Sequence, residues 1–482
     1  MSDYETVIGL EVHAQLLTES KIFCGCPTRF GDEPNKNTCP VCTGFPGVLP
    51  VLNKKVVEFA IRVGLAAHCQ IARTSRWARK NYFYPDLPKG YQISQYELPL
   101  CRDGFIEIEA NGAKRKIRLT RIHMEEDTGK NIHQARGDYS LVDFNRCGVP
   151  LLEIVSEPEM RNAHEASQYL KKLRSILQYL EVCDGNMEEG SFRCDANISL
   201  RPQGSRDFGT KVEIKNMNSF KAVENALEYE IERQARTLSD GGKLIQETRL
   251  WDAEREVTRS MRSKEYAHDY RYFPEPDLLP LVIDEKWIAE IEAALPELPE
   301  RRRERFVAEY ALPPYGAELL TSRRDVADYF ETAVKIHRNP KAISNWVMGD
   351  LFRVIKEKRL DDALRITAWP IPPEHLAGMV RMIDEGKISG KIAKTLFAEM
   401  LERREPPEKI VRDKGLEQVT DTSDIEKTVA EVMSAHAQQA ADYRAGNEKV
   451  FGFLVGQVMK ATRGKANPQM VNEALKKKLE AK

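Results

Sequence analysis

The chain has 482 residues, too many for a single hydrophobic core, so roughly two to four domains are expected. Apolar residues at 41% and charged residues at 30% are ordinary for a folded protein in water, and 73 basic against 74 acidic residues exclude a general polyanion binder. Any nucleic-acid contact has to use local basic patches. The N-terminus lacks a basic region followed by an apolar stretch, and no segment is apolar for long enough to cross a bilayer. A cytoplasmic location (or an organelle matrix after processing) and no membrane contact are therefore expected.

Residues 8–16 alternate with period two. Ile8, Leu10, Val12, Ala14 and Leu16 share one face and Gly9, Glu11, His13 and Gln15 the other, the mark of a half-buried strand. Cys24-Gly25-Cys26 and Cys39-Pro40-Val41-Cys42 follow, with twelve residues between the pairs. Such thiolate pairs suit a closed, structural zinc site, although Cys-x-Cys is tighter than the usual spacing and unmetallated thiols are the alternative. The other five of the nine cysteines are scattered singly, which argues against a disulfide framework.

Residues 79–96 set five aromatics among prolines and cations. This loop either clamps a nucleotide or simply packs its rings on a sheet, and composition favours packing. Alternation returns in 117–125, where Arg121, His123 and Glu125 point one way. It returns again in 191–201, with Arg193, Asp195 and Asn197 between apolar residues, and in 211–215, with Lys211, Glu213 and Lys215. One buried face and one polar face imply a largely antiparallel sheet. Residues 295–405 read as helices and 408–482 as a smaller helical unit, with proline-marked junctions at 296–300 and 403–408. The fold class is α+β.

A plain solvent-facing strand carries Thr, Lys, Ser and Glu. Glu11, His13, Glu125, Asp195 and Glu213 make instead a candidate metal and nucleotide set, and Lys211, Lys215, Arg193 and Arg201 are cations for developing phosphate charge. Mg²⁺ prefers carboxylate and water oxygens, whereas histidine suits Mn²⁺ or Zn²⁺. The same pattern also describes ordinary charges on strands. In the tail, Lys460, Arg463 and Lys465, with Lys476, Lys477 and Lys478, face either a phosphate backbone or solvent, the commoner fate. No Gly-x-Ser-x-Gly elbow, no His-Glu-x-x-His and no nucleophile for glutamine hydrolysis is visible, and residues 386–392 fail as a P-loop on spacing.

As a set, these segments resemble the B subunits of the aspartyl/glutamyl-tRNA amidotransferases. The resemblance runs essentially end to end. It rests on Ile8 to His13, the run Asn81 to Gln95, His123 to Asp127, Asp143 to Arg146, Pro150 to Val155, Ser191 to Asn197, Lys211 to Asn218, Tyr270 to Asp277 and the tail segment ending Ala466-Asn467-Pro468. It implies an antiparallel-sheet cradle domain over 1–292 with a zinc site, an all-helical domain over 293–406 and a small helical, tRNA-binding tail domain over 407–482. It implies a heterotrimer with an amidase A subunit and a small C subunit. It also implies ATP-dependent phosphorylation of the side-chain carboxylate of Glu or Asp misacylated on tRNA(Gln) or tRNA(Asn). Ammonia released from glutamine by the A subunit then displaces the phosphate, so the missing glutaminase nucleophile is accounted for.

The implied catalytic residues are Glu11, His13, Glu125, Asp195, Glu213 and Lys211, all but the lysine holding Mg²⁺. Lys80, Tyr82, Lys89, Arg193 and Lys215 fall to the nucleotide, Cys24, Cys26, Cys39 and Cys42 to structural Zn²⁺, and Lys460, Arg463 and Lys465 to tRNA. A noncatalytic, zinc-containing tRNA scaffold is the competing expectation, and a small-molecule ATP-dependent ligase related only by its cradle is a third.

Overall fold

Alternating apolar side chains make Tyr4–Gln15 a strand with two unlike faces, β1. The computed structural model that shows this describes residues 3–110, 112–133, 139–263, 267–361, 365–417, 422–462 and 466–480. They fall into two compact units, Met1–Pro299 and Glu300–Lys482.

In the first unit a long loop carrying the paired cysteines leads to α1 (Lys54–Ala66), whose start is capped by the Asn53 side chain accepting the Lys55 N–H. Four short strands follow, β2 (Gln70–Ile71), β3 (Thr74–Ser75), β4 (Ala78–Asn81) and β5 (Tyr91–Ser94). Then come the long β6 (Cys101–Ala110) and β7 (Ala113–Glu126), the pair β8 (Lys130–His133) and β9 (Ser140–Asp143), and β10 (Pro150–Ser156). After α2 (Ala163–Tyr179), β11 (Phe192–Pro202) and β12 (Val212–Lys215) precede α3 (Phe220–Ser239). The unit closes with β13 (Glu247–Asp252), β14 (Val257–Ser263), β15 (Phe273–Pro274), β16 (Leu281–Val282) and α4 (Glu285–Ala293).

Nine of these strands make one sheet, in the order β14-β13-β12-β11-β1-β10-β7-β6-β2. Its neighbours run antiparallel, as the alternation predicts, with a single exception: β12 and β13 are parallel. The chain achieves that by crossing through α3, because a parallel pair cannot be joined by a tight turn. A period-two pattern carries no information about strand direction, so this pair was not predictable from it.

β1 lies inside the sheet, between β10 and β11. α1 packs on β6 and β7, α2 on β6, and α3 on β11. Ile8, Leu10, Val12 and Ala14 join Tyr169, Leu173, Phe192 and Leu227 in this core. Helices thus cover one face, and the polar side chains of β1, β7, β11 and β12 collect on the other.

Regular secondary structure in the described residues of the second unit is helical, beside isolated bridge positions such as Asp361 with Ile366. The apolar side chains of its described residues form two clusters, one from Phe306 to Val411 and one from Ile425 to Leu479. The helix Gly390–Arg403 ends just before the proline pair at 406–407. Pro407 then starts the helix Pro407–Lys414, where a proline at the first helical position costs nothing, and Ile410 and Val411 of that helix are buried in the earlier cluster.

Candidate active site on the polar face of the sheet

Strand register fixes which polar groups meet. Asp195, Glu11, Val155 and Arg121 lie in one rank across β11, β1, β10 and β7. Arg193, His13, Glu153 and His123 form the next, followed by Gln15, Leu151 and Glu125. On the other side Gly9 faces Asn197, which faces Glu213 of β12.

The centre of this face is a cluster of two histidines and two glutamates, in which His13 is half-buried and His123, Glu125 and Glu153 are buried. His13 Nε2 is 3.5 Å from Glu153 Oε2 and 3.8 Å from Glu125 Oε1. His123 Nε2 is 3.4 Å from Glu153 Oε2 and 3.6 Å from Glu125 Oε2. Burial resists ionisation of both carboxylates. The facing His123 nonetheless holds Glu153 well below its ordinary range, helped by His13, and holds Glu125 down together with Lys80. Burial likewise opposes charge on His123, but Glu153 and Glu125 outweigh it and lift its pKa to about 9. Lys80 is raised in the same way against its burial, chiefly by Glu125. Its ammonium sits 4.9 Å from the Tyr270 ring centre and 5.8 Å from that of Tyr82.

One ligand atom each from His13, Glu125 and Glu153 lies within 4.8 Å of the other two, a separation that a divalent cation spans. Of the five residues predicted to hold Mg²⁺, the structure brings His13 and Glu125 together here. Glu11, Asp195 and Glu213 share the face but are engaged by neighbours. Asn197 Nδ2 donates to Glu11 at 2.8 Å, Lys215 Nζ to Asp195 at 2.7 Å, and Thr248 Oγ1 to Glu213 at 2.9 Å.

Glu153 was missed. Its strand reads Pro-Leu-Leu-Glu-Ile-Val-Ser, almost continuously apolar, which marks a buried strand and not an alternating one. A lone carboxylate in such a run was the available signal, because a buried charge needs a partner.

The predicted nucleotide residues divide. Lys80, Tyr82 and Lys215 border the polar face. Arg193 also borders it, but its guanidinium donates to Asp127 at 2.9 Å, and Asp127 accepts from Gln15 as well. Lys89 turns elsewhere: its ammonium pairs with Glu126 beside Cys24 and Cys42. Arg201 pairs with Glu5 near the far end of β11. Lys211 stands half-buried just before β12. In the aromatic loop Tyr82 and Tyr91 are half-buried, whereas Phe83 is 80% exposed, so only part of the loop packs.

The four paired cysteines converge, with their sulfur atoms all within 4.8 Å of one another, and could hold zinc. Cys39 N–H donates to Cys42 Sγ at 3.2 Å, and the fully buried Lys21 ammonium donates to the same sulfur at 3.5 Å. Cys42 is held well below the ordinary thiol range, first by a hydrogen bond from Cys24 and then, against burial, by Cys39 N–H and Lys21. The other five cysteines are unpaired, as their scatter predicts. In the tail, Lys460 is exposed on the helix Lys449–Ala461, and Arg463 and Lys465 lie outside the described residues.

A mixed sheet whose open face carries lysines and a His–Glu–Glu cluster that could hold a metal ion, followed by helices, defines an α+β protein. Residues 6–289 match the family described as the GatB/GatE catalytic domain, and residues 328–479 match the GatB domain. The B subunit of the aspartyl/glutamyl-tRNA(Asn/Gln) amidotransferase of Thermodesulfovibrio yellowstonii is 59% identical over 472 residues, 98% of each chain. Its namesakes from Carboxydothermus hydrogenoformans and Geotalea daltonii are 57% and 58% identical over 99% of this chain. The chain belongs to the family of aspartyl/glutamyl-tRNA(Asn/Gln) amidotransferase B subunits.

Proposed function

We propose that this chain phosphorylates, at the expense of ATP, the side-chain carboxylate of Glu or Asp misacylated on tRNA(Gln) or tRNA(Asn). It then amidates that carboxyl with ammonia from a glutaminase A subunit, within a heterotrimer that includes a small C subunit. The overall reaction is that of a glutamine-hydrolysing ligase forming C–N bonds. The observation that carries this reading is the His13–Glu125–Glu153 cluster facing Lys80. A scaffold has no use for carboxylates gathered and desolvated at such cost. Among the described residues no helix is long and apolar enough to cross a membrane, which suits a cytoplasmic enzyme.

A carboxylate does not react with ammonia, because oxide is a very poor leaving group; phosphate is a good one. When bound at His13, Glu125 and Glu153, Mg²⁺ supplies positive charge to the phosphoryl oxygens. Lys80 adds a fixed cation on the same side, and Lys215 brings another from β12. Glu11, Asp195 and Glu213 keep that lysine on the face. The tyrosines around Lys80 shield the site from water, which preserves an activated carboxyl for ammonia. The cysteines hold structural zinc, away from the reacting atoms. The division into cradle 1–292, helical 293–406 and tail 407–482 belongs to this reading, with Lys460, Arg463 and Lys465 meeting tRNA.

The test is Glu11→Ala with His13→Ala in the reconstituted complex. Conversion of Glu-tRNA(Gln) to Gln-tRNA(Gln) should fall by on the order of 100-fold or more, with glutamine hydrolysis retained. Undiminished conversion would place the site elsewhere.

A further inference from the structure

Arg79 and Asn81 stand on either side of Lys80 in β4, and both bind a segment far along the chain. β15 pairs with β4 over two residues, Phe273 opposite Arg79 and Pro274 opposite Ala78, too short a ladder to hold that segment by itself. Arg79 completes it through the fully buried Glu275. Its Nε donates to Glu275 Oε2 at 2.7 Å and its Nη2 to Oε1 at 2.9 Å, and Nη2 also donates to Asp277 at 3.0 Å. A bidentate guanidinium–carboxylate pair fixes orientation as well as distance. At the other end Asn81 Nδ2 donates to the Arg271 carbonyl at 2.8 Å. Arg271 itself holds a φ of 45°, in the left-handed region that residues other than glycine rarely adopt.

The segment so held carries Tyr270 and Tyr272. The Tyr270 ring centre is 4.9 Å from the Lys80 ammonium. Tyr272 stacks on Tyr96 with ring centres 4.1 Å apart and planes 5° from parallel, within electrostatic reach of Lys80, Glu125 and Glu153. Neither tyrosine belongs to the nine-stranded sheet, so their place beside Lys80 depends on how the segment is held to β4.

We propose that Arg79 and Asn81 are positioning residues that clamp residues 270–277 to β4, keeping Tyr270 and Tyr272 closed against Lys80 so that ammonia and not water takes the activated carboxyl. This rests on the proposed phosphorylation and amidation. In amidation, ammonia bonds to the acyl carbon, the bond from that carbon to the phosphate oxygen breaks, and one ammonia proton goes to the phosphate. Water entering by the same route returns the carboxylate and phosphate, its two protons passing to phosphate and solvent, so ATP is consumed and no amide forms. Excluding water from a closed site suppresses that side reaction.

The test measures ADP formed per Gln-tRNA(Gln) made by the reconstituted complex from Glu-tRNA(Gln), ATP and limiting glutamine. The wild type should give about one. Two variants should raise that ratio at least about threefold: Asn81→Ala, and Arg79→Met combined with Glu275→Gln, which leaves no buried charge alone. The ratio is set within each active molecule, so partial unfolding does not move it. Saturating ammonium chloride should return it toward about one, because ammonia then outruns water. An unchanged ratio in the folded variants, or a raised ratio that ammonia does not lower, would overturn the clamp alone. Asn81→Ala decides the matter if the double variant does not fold. A wild type that makes Gln-tRNA(Gln) without forming ADP would overturn the proposed phosphorylation itself.

Discussion

Lys21 is fully buried, and among the described residues it pairs with no carboxylate. Its ammonium donates to the carbonyls of Asn37 and Phe144 and to Cys42 Sγ. A buried charge so placed requires an anion, and the sulfur supplies it only as thiolate. Four thiolates around a zinc ion would carry a net charge of about −2, which Lys21 would partly offset. Lys21→Met should therefore speed zinc loss to a colorimetric chelator by about 10- to 100-fold, whereas Lys21→Arg should largely preserve retention. Equal release from all three proteins would remove Lys21 from the site. Legibility at this scale was uneven. Alternation exposed Glu11, His13, Glu125 and Asp195 because each stands among apolar neighbours of opposite facing. Lys21 and Glu153 stayed hidden, because a single charge in a loop or in an apolar run has no period.

Between elements, register does what residue types do not. Lys80 and Lys89 belong to the same aromatic segment, yet Lys80 on β4 meets the polar face while Lys89, in the turn before β5, meets Glu126. In the second unit, helices Pro299–Tyr310 and Arg324–Ile336 are joined through Glu331, which accepts from Arg302, Arg305 and Tyr310. Burial opposes its charge, but Arg305 and Arg302 hold its pKa down at about 2, against 4.5 for a free glutamate. A carboxyl that ionises more readily folded than unfolded stabilises the fold above pH 4.5, and that contribution disappears as pH falls from 4.5 to about 2. Glu331→Gln should cost about 3 kcal/mol at pH 7 and less than about 1 kcal/mol at pH 2.5, measured by urea-dependent hydrogen exchange of residues 299–336. A loss independent of pH would show that shape and not charge joins the helices.

Across the whole chain, the change from strands to helices near residue 299 was readable because alternation stops and prolines cluster there. The direction of β13 and the end of the earlier helical cluster were not, since both depend on what a segment packs against. Residues 422–480 carry an apolar cluster distinct from the one before them. If they serve tRNA and not catalysis, deleting residues 422–482 should raise the KM for misacylated tRNA by at least about tenfold while leaving that for ATP within about twofold. Equal increases would withdraw the tail from tRNA recognition.

β1 has a consequence in time as well as in space. It is made well before its two partners, which are complete only at Ser156 and Pro202. At roughly 5–20 residues per second, a ribosome takes about 10 to 40 seconds to make the intervening stretch. Until Ser156 is made the Ile8–Leu16 stripe has both edges open, and until Pro202 one of them, the form most exposed to pairing with another chain. The strand that carries Glu11 and His13 thus waits for neighbours that lie far along the chain.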